Sequence, residues 1–537
     1  MSKLRHLLLF SRQGLGSQET RSPAFTVALT ALLAIICCHR YLRRRSTGTP
    51  FPPGPPGLPI LGNLLHLPSP TQHPWFKFTE WKDVFGDIVY LHGLGNSIVV
   101  LNSLDATTDL LSKHGHLYAE RPVFTMVGEL MGLDRSMPVM SSTKTWQLHR
   151  RLAHTAFSPE AVKKYHRSQE DIAVLTSLAF ANYPKRFIDH VRLATGRIVM
   201  SVTYGISPQV AEHDYIAHAE DTMMLISRTM VPGAFLVDVI PALKYIPRHL
   251  PFRTFHDTAR EGRAMMEKMV FPPFFQVKNE MAGDGPKRPS FVSDLLSMPR
   301  DNTPLEEAEF QEAVKWTAGS MYGAGGETTY STVLNFILAM ALHPSIQLRA
   351  QEEMDAIIGP ERLPTIADRA STPYLNAVLK ETLRWHPSLP LGLPHRSSKD
   401  FVYRGYHIPG DSIVIPNIWA VSRTPDPDFP PEDFVPERFL PRSFEPIDPF
   451  SYVFGFGRRI CPGKSLAESS IYIVVAYLLH CFSFHPPLDE KGEEKPIEPT
   501  WKTGLTSFPN PFECRIVLRE ESRVVLLEER AAQCDES

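Results

Sequence analysis

The stretch 454–463, FGFGRRICPG, constrains this chain more than any other part of it. Phe454, Gly457, Arg459, Cys461 and Gly463 fit F-x-x-G-x-R-x-C-x-G. Average residue frequencies put that pattern by chance in roughly one chain in ten thousand of this length. Its glycines permit a tight turn that aims backbone N–H groups at one sulfur, and Arg458 and Arg459 add positive charge beside it. Both effects favour thiolate over thiol, the form of cysteine that binds metals. An average cysteine is a buried, inert small side chain; the Gly, Arg and Phe setting argues for a ligand instead.

The other cysteines do not share that setting. Cys37, Cys38, Cys481, Cys514 and Cys534 form no C-x-x-C pair and no zinc-like spacing. So few in 537 residues suit a reducing compartment rather than a disulfide framework. A net charge of -2 gives no bulk basic signal for nucleic acid. A chain of this length buries a core large enough to enclose a bulky cofactor.

Ser22–Cys38, SPAFTVALTALLAIICC, carries no charge. As a helix it would span roughly 26 Å, the low end of a membrane crossing. A cleaved signal peptide and a buried core helix are the alternatives. HRYLRRR follows where a small-residue cleavage site would stand, which favours an anchor. Four basic residues precede the span and four follow it; the later four cluster at its edge, placing the bulk of the chain in the cytosol. The proline-rich run 51–63, FPPGPPGLPILGN, reads as a stiff spacer behind the anchor.

Beyond the spacer, Asp87-Ile-Val-Tyr-Leu and Ser97-Ile-Val-Val-Leu predict short strands, with further strand pieces near Phe401-Val-Tyr and Ile413-Val-Ile. Helical patterns dominate from about 104 to 341. One helix is predicted from a capping box at Thr303–Glu306 to Leu342, where Pro344 stops it. Its middle is apolar yet holds Gly319, Gly323, Gly325 and Gly326, as close approach of a flat ligand would require. Beside them Glu327, Thr328 and Thr329 put a carboxylate and two hydroxyls in a buried helix, where charge is rare without a partner or a role.

Taken with Trp146-x-x-x-Arg150, Ala324-Gly-Gly-Glu-Thr-Thr329, Glu381-x-x-Arg384 and Pro436-Glu-Arg-Phe439, all in family order, the cysteine loop resembles that of a microsomal cytochrome P450. The style is similar to fungal members of secondary metabolism, and the resemblance covers nearly the whole chain. It implies a mainly α fold with a minor β-sheet, and haem b held by Cys461 as axial iron ligand. It implies that Arg459, Trp146, Arg150 and His395 meet the haem propionates, with Phe454 and Gly457 shaping the cysteine loop. Glu381, Arg384 and Arg438 become a buried structural network; alone, Glu381 and Arg384 would read as a solvated ion pair. Thr328 and Glu327 become the catalytic relay that delivers protons; the plain alternative is a threonine bonded back to its own helix.

The domains expected are a lumenal segment 1–21, an anchor 22–38, a basic and proline-rich hinge 39–63, a catalytic domain 64–520 and a flexible tail 521–537. The expected reaction inserts one oxygen atom from O2 into a hydrophobic small molecule. Electrons come from NADPH through a separate cytochrome P450 reductase, with cytochrome b5 as a second donor, since no Rossmann or flavin fingerprint stands in this chain. Membrane lipid is the remaining partner, and the endoplasmic reticulum the expected location. Substrate contacts are expected from VFTMVGELMGL after Arg121, the region 231–252, the long helix before Glu327, SLPLGLP after Pro387, and TSF at 506–508. Two rival functions carry the same motifs less well: an isomerase or dehydratase that needs no reductase, and a tethered haem carrier or sensor.

Overall fold

The computed structural model describes residues 48–59, 61–69, 71–206, 213–231, 234–247, 254–283, 288–298 and 306–534. The anchor at 22–38, the lumenal segment and residues 39–47 of the hinge lie outside the described residues. Among those described, no single helix is long and apolar enough to cross a membrane.

The chain divides into two units, Met1–Phe51 with Val402–His407, and Pro52–Phe401 with Ile408–Ser537. In the first, the His407 N–H donates to the Pro50 carbonyl at 2.7 Å, and the Phe51 ring meets His407 edge-on at 5.4 Å.

The second unit is mainly helical, as expected. Its long helices are α1 (Pro74–Phe85), α2 (Lys144–Phe157), α3 (His166–Asn182), α4 (Phe187–Tyr204), α5 (His213–Thr229), α6 (Thr254–Ala282), α7 (Glu307–Leu342), α8 (Pro344–Ile357), α9 (Pro373–Trp385), α10 (Lys464–Cys481) and α11 (Glu521–Cys534). A small sheet is ordered β1 (Ile88–Gly93), β2 (Asn96–Leu101), β4 (Ile413–Pro416), β3 (His395–Arg396). β1 and β2 run antiparallel with Val89 opposite Val100, and β2 runs parallel to β4 with Val99 opposite Val414. Phe401–Tyr403 is also a strand. An antiparallel pair of β5 (Phe482–His485) and β6 (Arg515–Leu518), far apart in sequence, was not foreseen.

α7 organises the unit. It ends at Leu342 because Pro344 cannot continue it. It starts at Glu307, with Glu306 as an N-cap that makes no side-chain cap bond, and Thr303 of the expected capping box lies outside the described residues. The helix is buried on nearly every side, against α2, α4, α6 and α10.

That packing gives the glycines a second reason to be small. A Cβ on Gly319 would stand 2.6 Å from Val270, on Gly323 3.1 Å from Met223, and on Gly325 2.9 Å from Val199. They are small because neighbouring helices press on them. Only Gly326 has nothing within 4 Å of that position.

Two expected boundaries also move. The proline run belongs to the second unit from Pro52: the Tyr90 N–H donates to the Pro53 carbonyl at 2.9 Å and Asn63 Nδ2 to Pro55 at 2.7 Å. The second unit therefore takes in the proline run from 52, ahead of the boundary expected at 64. At the other end, 521–534 is helix α11 and not a flexible tail. Leu527 and Arg523 are buried, Arg530 pairs with Asp171 on α3, and Arg523 reaches Asp355 on α8 at 3.0 Å.

Candidate functional site

A deep cavity opens in the second unit between α7, the start of α10 and the segments 452–463 and 388–395. Cys461 lies on its wall. The cysteine loop is shaped by its glycines: Gly457 has φ +52, and a Cβ there would stand 2.3 Å from the Leu111 carbonyl oxygen. The Cys461 N–H closes the loop by donating to the Phe454 carbonyl at 2.7 Å. Phe454 stacks on Phe450 at 6.0 Å, and Lys464 sits over its ring at 5.8 Å.

The electrostatics of the sulfur differ from expectation. Burial pushes the thiol up; the Gly463 N–H, Arg150 and Lys464 pull it down, without overcoming burial. Arg458 is exposed. Arg459 turns away, its Nε, Nη1 and Nη2 donating to the carbonyls of Ala119, Met137 and Met140 at 2.7, 3.4 and 2.8 Å.

Cations gather at the same cavity. Arg459 lies 4.2 Å over the Trp146 ring, and Trp146 and Arg150, one turn apart on α2, both line the cavity. His395 lines it too; its Nδ1 donates to the Tyr118 carbonyl at 2.7 Å. Arg121, which the sequence reading passed over, joins them: it is buried, with Nε on the Pro138 carbonyl at 2.8 Å and Nη1 on Leu393 and Pro394 at 2.9 and 2.7 Å. Among the described residues no carboxylate pairs with Arg121, Arg150 or Arg459, and none lines the cavity. Burial pulls Arg459 down to about 10, Arg150 down, and Arg121 and His395 well down, the last two also repelled by neighbouring arginines. Buried guanidiniums without counter-charge are costly, so a buried anion here relieves the site.

The relay pair is split. Thr328 and Thr329 line the cavity, whereas Glu327 does not. The Thr328 hydroxyl donates to the Ala324 carbonyl at 3.1 Å. Glu327 is buried, accepting from Thr506 Oγ1 at 2.7 Å and facing Arg192 Nη1 at 3.4 Å. Arg192 also pairs with Glu220 on α5 at 2.9 Å and stacks on Tyr330 at 3.6 Å.

Glu381, Arg384 and Arg438 come together, within a larger buried network. Glu381 holds Arg384 bidentately at 2.6 and 2.8 Å, accepts from the Val435 N–H at 2.7 Å, and faces Arg438 at 3.6 Å. Arg438 continues to Asp426 at 3.1 Å, and Asp426 to Arg442. Although burial opposes it, Arg442 and Arg438 hold the Asp426 carboxyl below its ordinary range.

The apolar lining comes from part of what the sequence suggested. Ser388, Leu389, Gly392 and Leu393 line the cavity, with Met321 and Ala324 of α7. VFTMVGELMGL instead packs Met126, Val127 and Met131 into a core with α6, and no residue of 506–508 lines the cavity. Phe157 of α2 and Ile198 and Val199 of α4 take part unforeseen.

A family model for cytochrome P450 matches residues 52–515. Cytochrome P450 monooxygenase COX1 of Coprinopsis cinerea is 35% identical over 521 residues, 95% of this chain and 100% of the relative. Cytochrome P450 monooxygenase claT of Ampulloclitocybe clavipes is 36% identical, with 94% and 98% covered. Tryptamine 4-monooxygenase of Psilocybe cyanescens is 36% identical, with 92% and 98% covered. The chain belongs to the cytochrome P450 family, as a haem monooxygenase whose iron takes a cysteine thiolate as axial ligand.

Proposed function

We propose that Cys461 is that ligand and that the enzyme oxidises an apolar small molecule in fungal secondary metabolism, with electrons from NADPH through a separate reductase. The carrying observation is the cavity that joins Cys461, a cluster of arginines that no carboxylate pairs with among the described residues, and a largely apolar wall. Of the described cysteines only Cys461 lines it; Cys481 and Cys514 are thiols that burial pushes up to about 12. The site fits haem: a sulfur ligand, guanidiniums for two carboxylates, and Ala324 presenting a small side chain.

Haem held there would supply O2 activation and the transfer of one oxygen atom to the substrate, with electrons from NADPH. Arg150, whose guanidinium makes no hydrogen bond among the described residues, is placed to take a propionate, and Arg121 and Arg459 lend it positive field. His395 commits Nδ1–H to Tyr118, so its Nε2 donates only when the ring is cationic, and a propionate beside it favours that form. Thr328 offers its hydroxyl as acceptor and proton carrier at the cavity wall, and Glu327 supplies protons from behind the helix. The apolar lining excludes water and orients the substrate by shape. The region 22–38 anchors the chain in the endoplasmic-reticulum membrane.

The test is the spectrum of the reduced carbon-monoxide complex. Cys461→Ala loses the red-shifted thiolate-type Soret band; retention of that band overturns the assignment.

A further inference from the structure

α10 begins three residues after Cys461, and its first turn is part of the sulfur's setting. Gly463 is its N-cap: the Gly463 N–H faces the sulfur, and the Gly463 carbonyl accepts from the Ala467 N–H at 2.9 Å. No side chain caps this end. Where the Gly463 N–H points is therefore set by how the whole helix is held.

The far end is held closely. The last four carbonyls of a helix have no partner within it. Here Leu478 accepts from the Phe482 N–H. The other three are all taken by one C-terminal segment. Cys481 accepts from the Arg519 N–H at 2.9 Å, Leu479 and His480 from Arg519 Nη1 at 3.4 and 3.2 Å, and His480 again from Arg523 Nη1. Cations at a helix C-terminus also suit its dipole. One carboxylate aims both guanidiniums: Asp355 of α8 meets Arg519 at 2.5 and 3.1 Å and Arg523 at 3.0 Å. Gln351 and Gln347 stand four and eight residues before Asp355, on the same face of α8. They bond the backbone of β5, the strand that continues α10. Gln351 Nε2 donates to the Phe482 carbonyl at 2.9 Å; Gln347 donates to the Phe484 carbonyl at 2.9 Å and accepts from its N–H at 2.7 Å. Both arginines lie beyond residue 515, where the family match ends.

We infer that Arg519 and Arg523 are positioning residues for the cysteine loop. By locking the far end of α10 they fix, along a rod of about 27 Å, the turn that presents Cys461. The inference rests on the reading of Cys461 as the iron ligand. Ile471–Cys481 is buried throughout, but apolar burial is non-directional. The bonds to three carbonyls are what set the rotation and depth of the helix.

The test uses the full-length holoenzyme in rising urea. At each step the reduced carbon-monoxide complex gives the share of the red-shifted thiolate band against the blue-shifted band of a lost thiolate, and tryptophan fluorescence gives unfolding. In Arg519→Met and Arg523→Met the blue-shifted share is expected to rise roughly twofold or more at urea that leaves the fluorescence native, the mark of a local opening. The gap between the two midpoints widens accordingly. Arg519→Lys, which keeps a cation for Asp355 and the carbonyls, is expected to recover much of that change, and Asp355→Asn to act as the methionine variants do. Arg530→Met, which cuts α11 from Asp171 and removes no bond to a carbonyl of α10, is expected to lower both midpoints together. An unchanged gap in both methionine variants overturns the inference, since the arginines then add only general stability. A gap widened as far by Arg530→Met also overturns it, assigning the effect to the docking of α11 at large. A red-shifted band retained in Cys461→Ala overturns the ligand reading itself.

Discussion

Replacing Glu381 by Gln keeps the shape of the side chain and removes its charge. The site is fully buried, with Glu381 at 0% and Arg384 at 4% exposure. Two charge-assisted hydrogen bonds to Arg384, at 2.6 and 2.8 Å, are weakened, and one side-chain N–H2 is turned toward a cation. Arg438 keeps Asp426 at 3.1 Å, so it is not stranded. Arg384 keeps only carbonyls, those of Ser422, Pro431 and Asp433 at 3.3, 2.6 and 2.8 Å. One stranded buried charge costs about 3–5 kcal/mol, or roughly a hundred-fold to several-thousand-fold in the unfolding equilibrium. The assay is urea unfolding of the holoenzyme followed by tryptophan fluorescence and by haem release. Both midpoints are expected to fall, and Arg438→Met, which leaves Glu381 its bidentate partner, to lower them less. A loss of about 1 kcal/mol or less, the size of an exposed pair, refutes the reasoning.

Thr328→Ala is expected to leave haem content unchanged and to cut product formed per NADPH by roughly tenfold or more, the missing electrons recovered as hydrogen peroxide, with a smaller effect from Thr329→Ala. The measurement is NADPH, peroxide and product in one reaction, and equal coupling in Thr328→Ala and wild type removes Thr328 from the relay. Gly319→Ala drives a Cβ to 2.6 Å from Val270 and is expected to destabilise by about 1–3 kcal/mol relative to Gly326→Ala, which meets nothing within 4 Å. Urea midpoints of the pair decide it. His480 is buried with neither ring nitrogen hydrogen-bonded, and burial pulls it from 6.5 down to about 3, helped by Arg523 and Arg519. The unfolded chain binds a proton there below pH 6.5 and the folded one does not until about 3, so stability falls with pH across that window. His480→Phe is expected to flatten the slope, read as unfolding rate against pH.

What the sequence made legible is what is local. The cysteine loop, the Trp146–Arg150 spacing and the Glu381–Arg384 pair are each carried by a few consecutive residues, and short spacing fixes which share a face. Strands β1, β2 and β4 were legible through their β-branched runs. What escaped is set by distant pairing. Arg121 finds its acceptors 17 to 273 positions away, and Thr506 meets Glu327 across 179. Nothing near Arg121 or Thr506 announces that. The glycines of α7 were only half legible, because a helix pressed by another helix and one facing a flat ligand demand the same residue: Gly319 and Gly323 meet Val270 and Met223, whereas Gly325 meets Val199 and also lines the cavity. The C-terminal helix was misread because its charges, Glu528, Glu529 and Arg530, resemble a solvated tail until Asp171 is seen beneath Arg530.

That last helix bears on how the chain is made. α11 is the last described element to leave a ribosome, and it packs on α3, synthesised some 350 positions earlier: Arg530 and Asp171 are separated by 359 residues. Domains fold during synthesis at about 5–20 residues per second, so α3 waits tens of seconds with its outer face uncovered. Until α11 arrives, that face and the α8 surface around Asp355 are exposed to chaperones and to other nascent chains. A truncation at 520 would make the interval permanent, and a C-terminal fusion is best joined beyond Cys534.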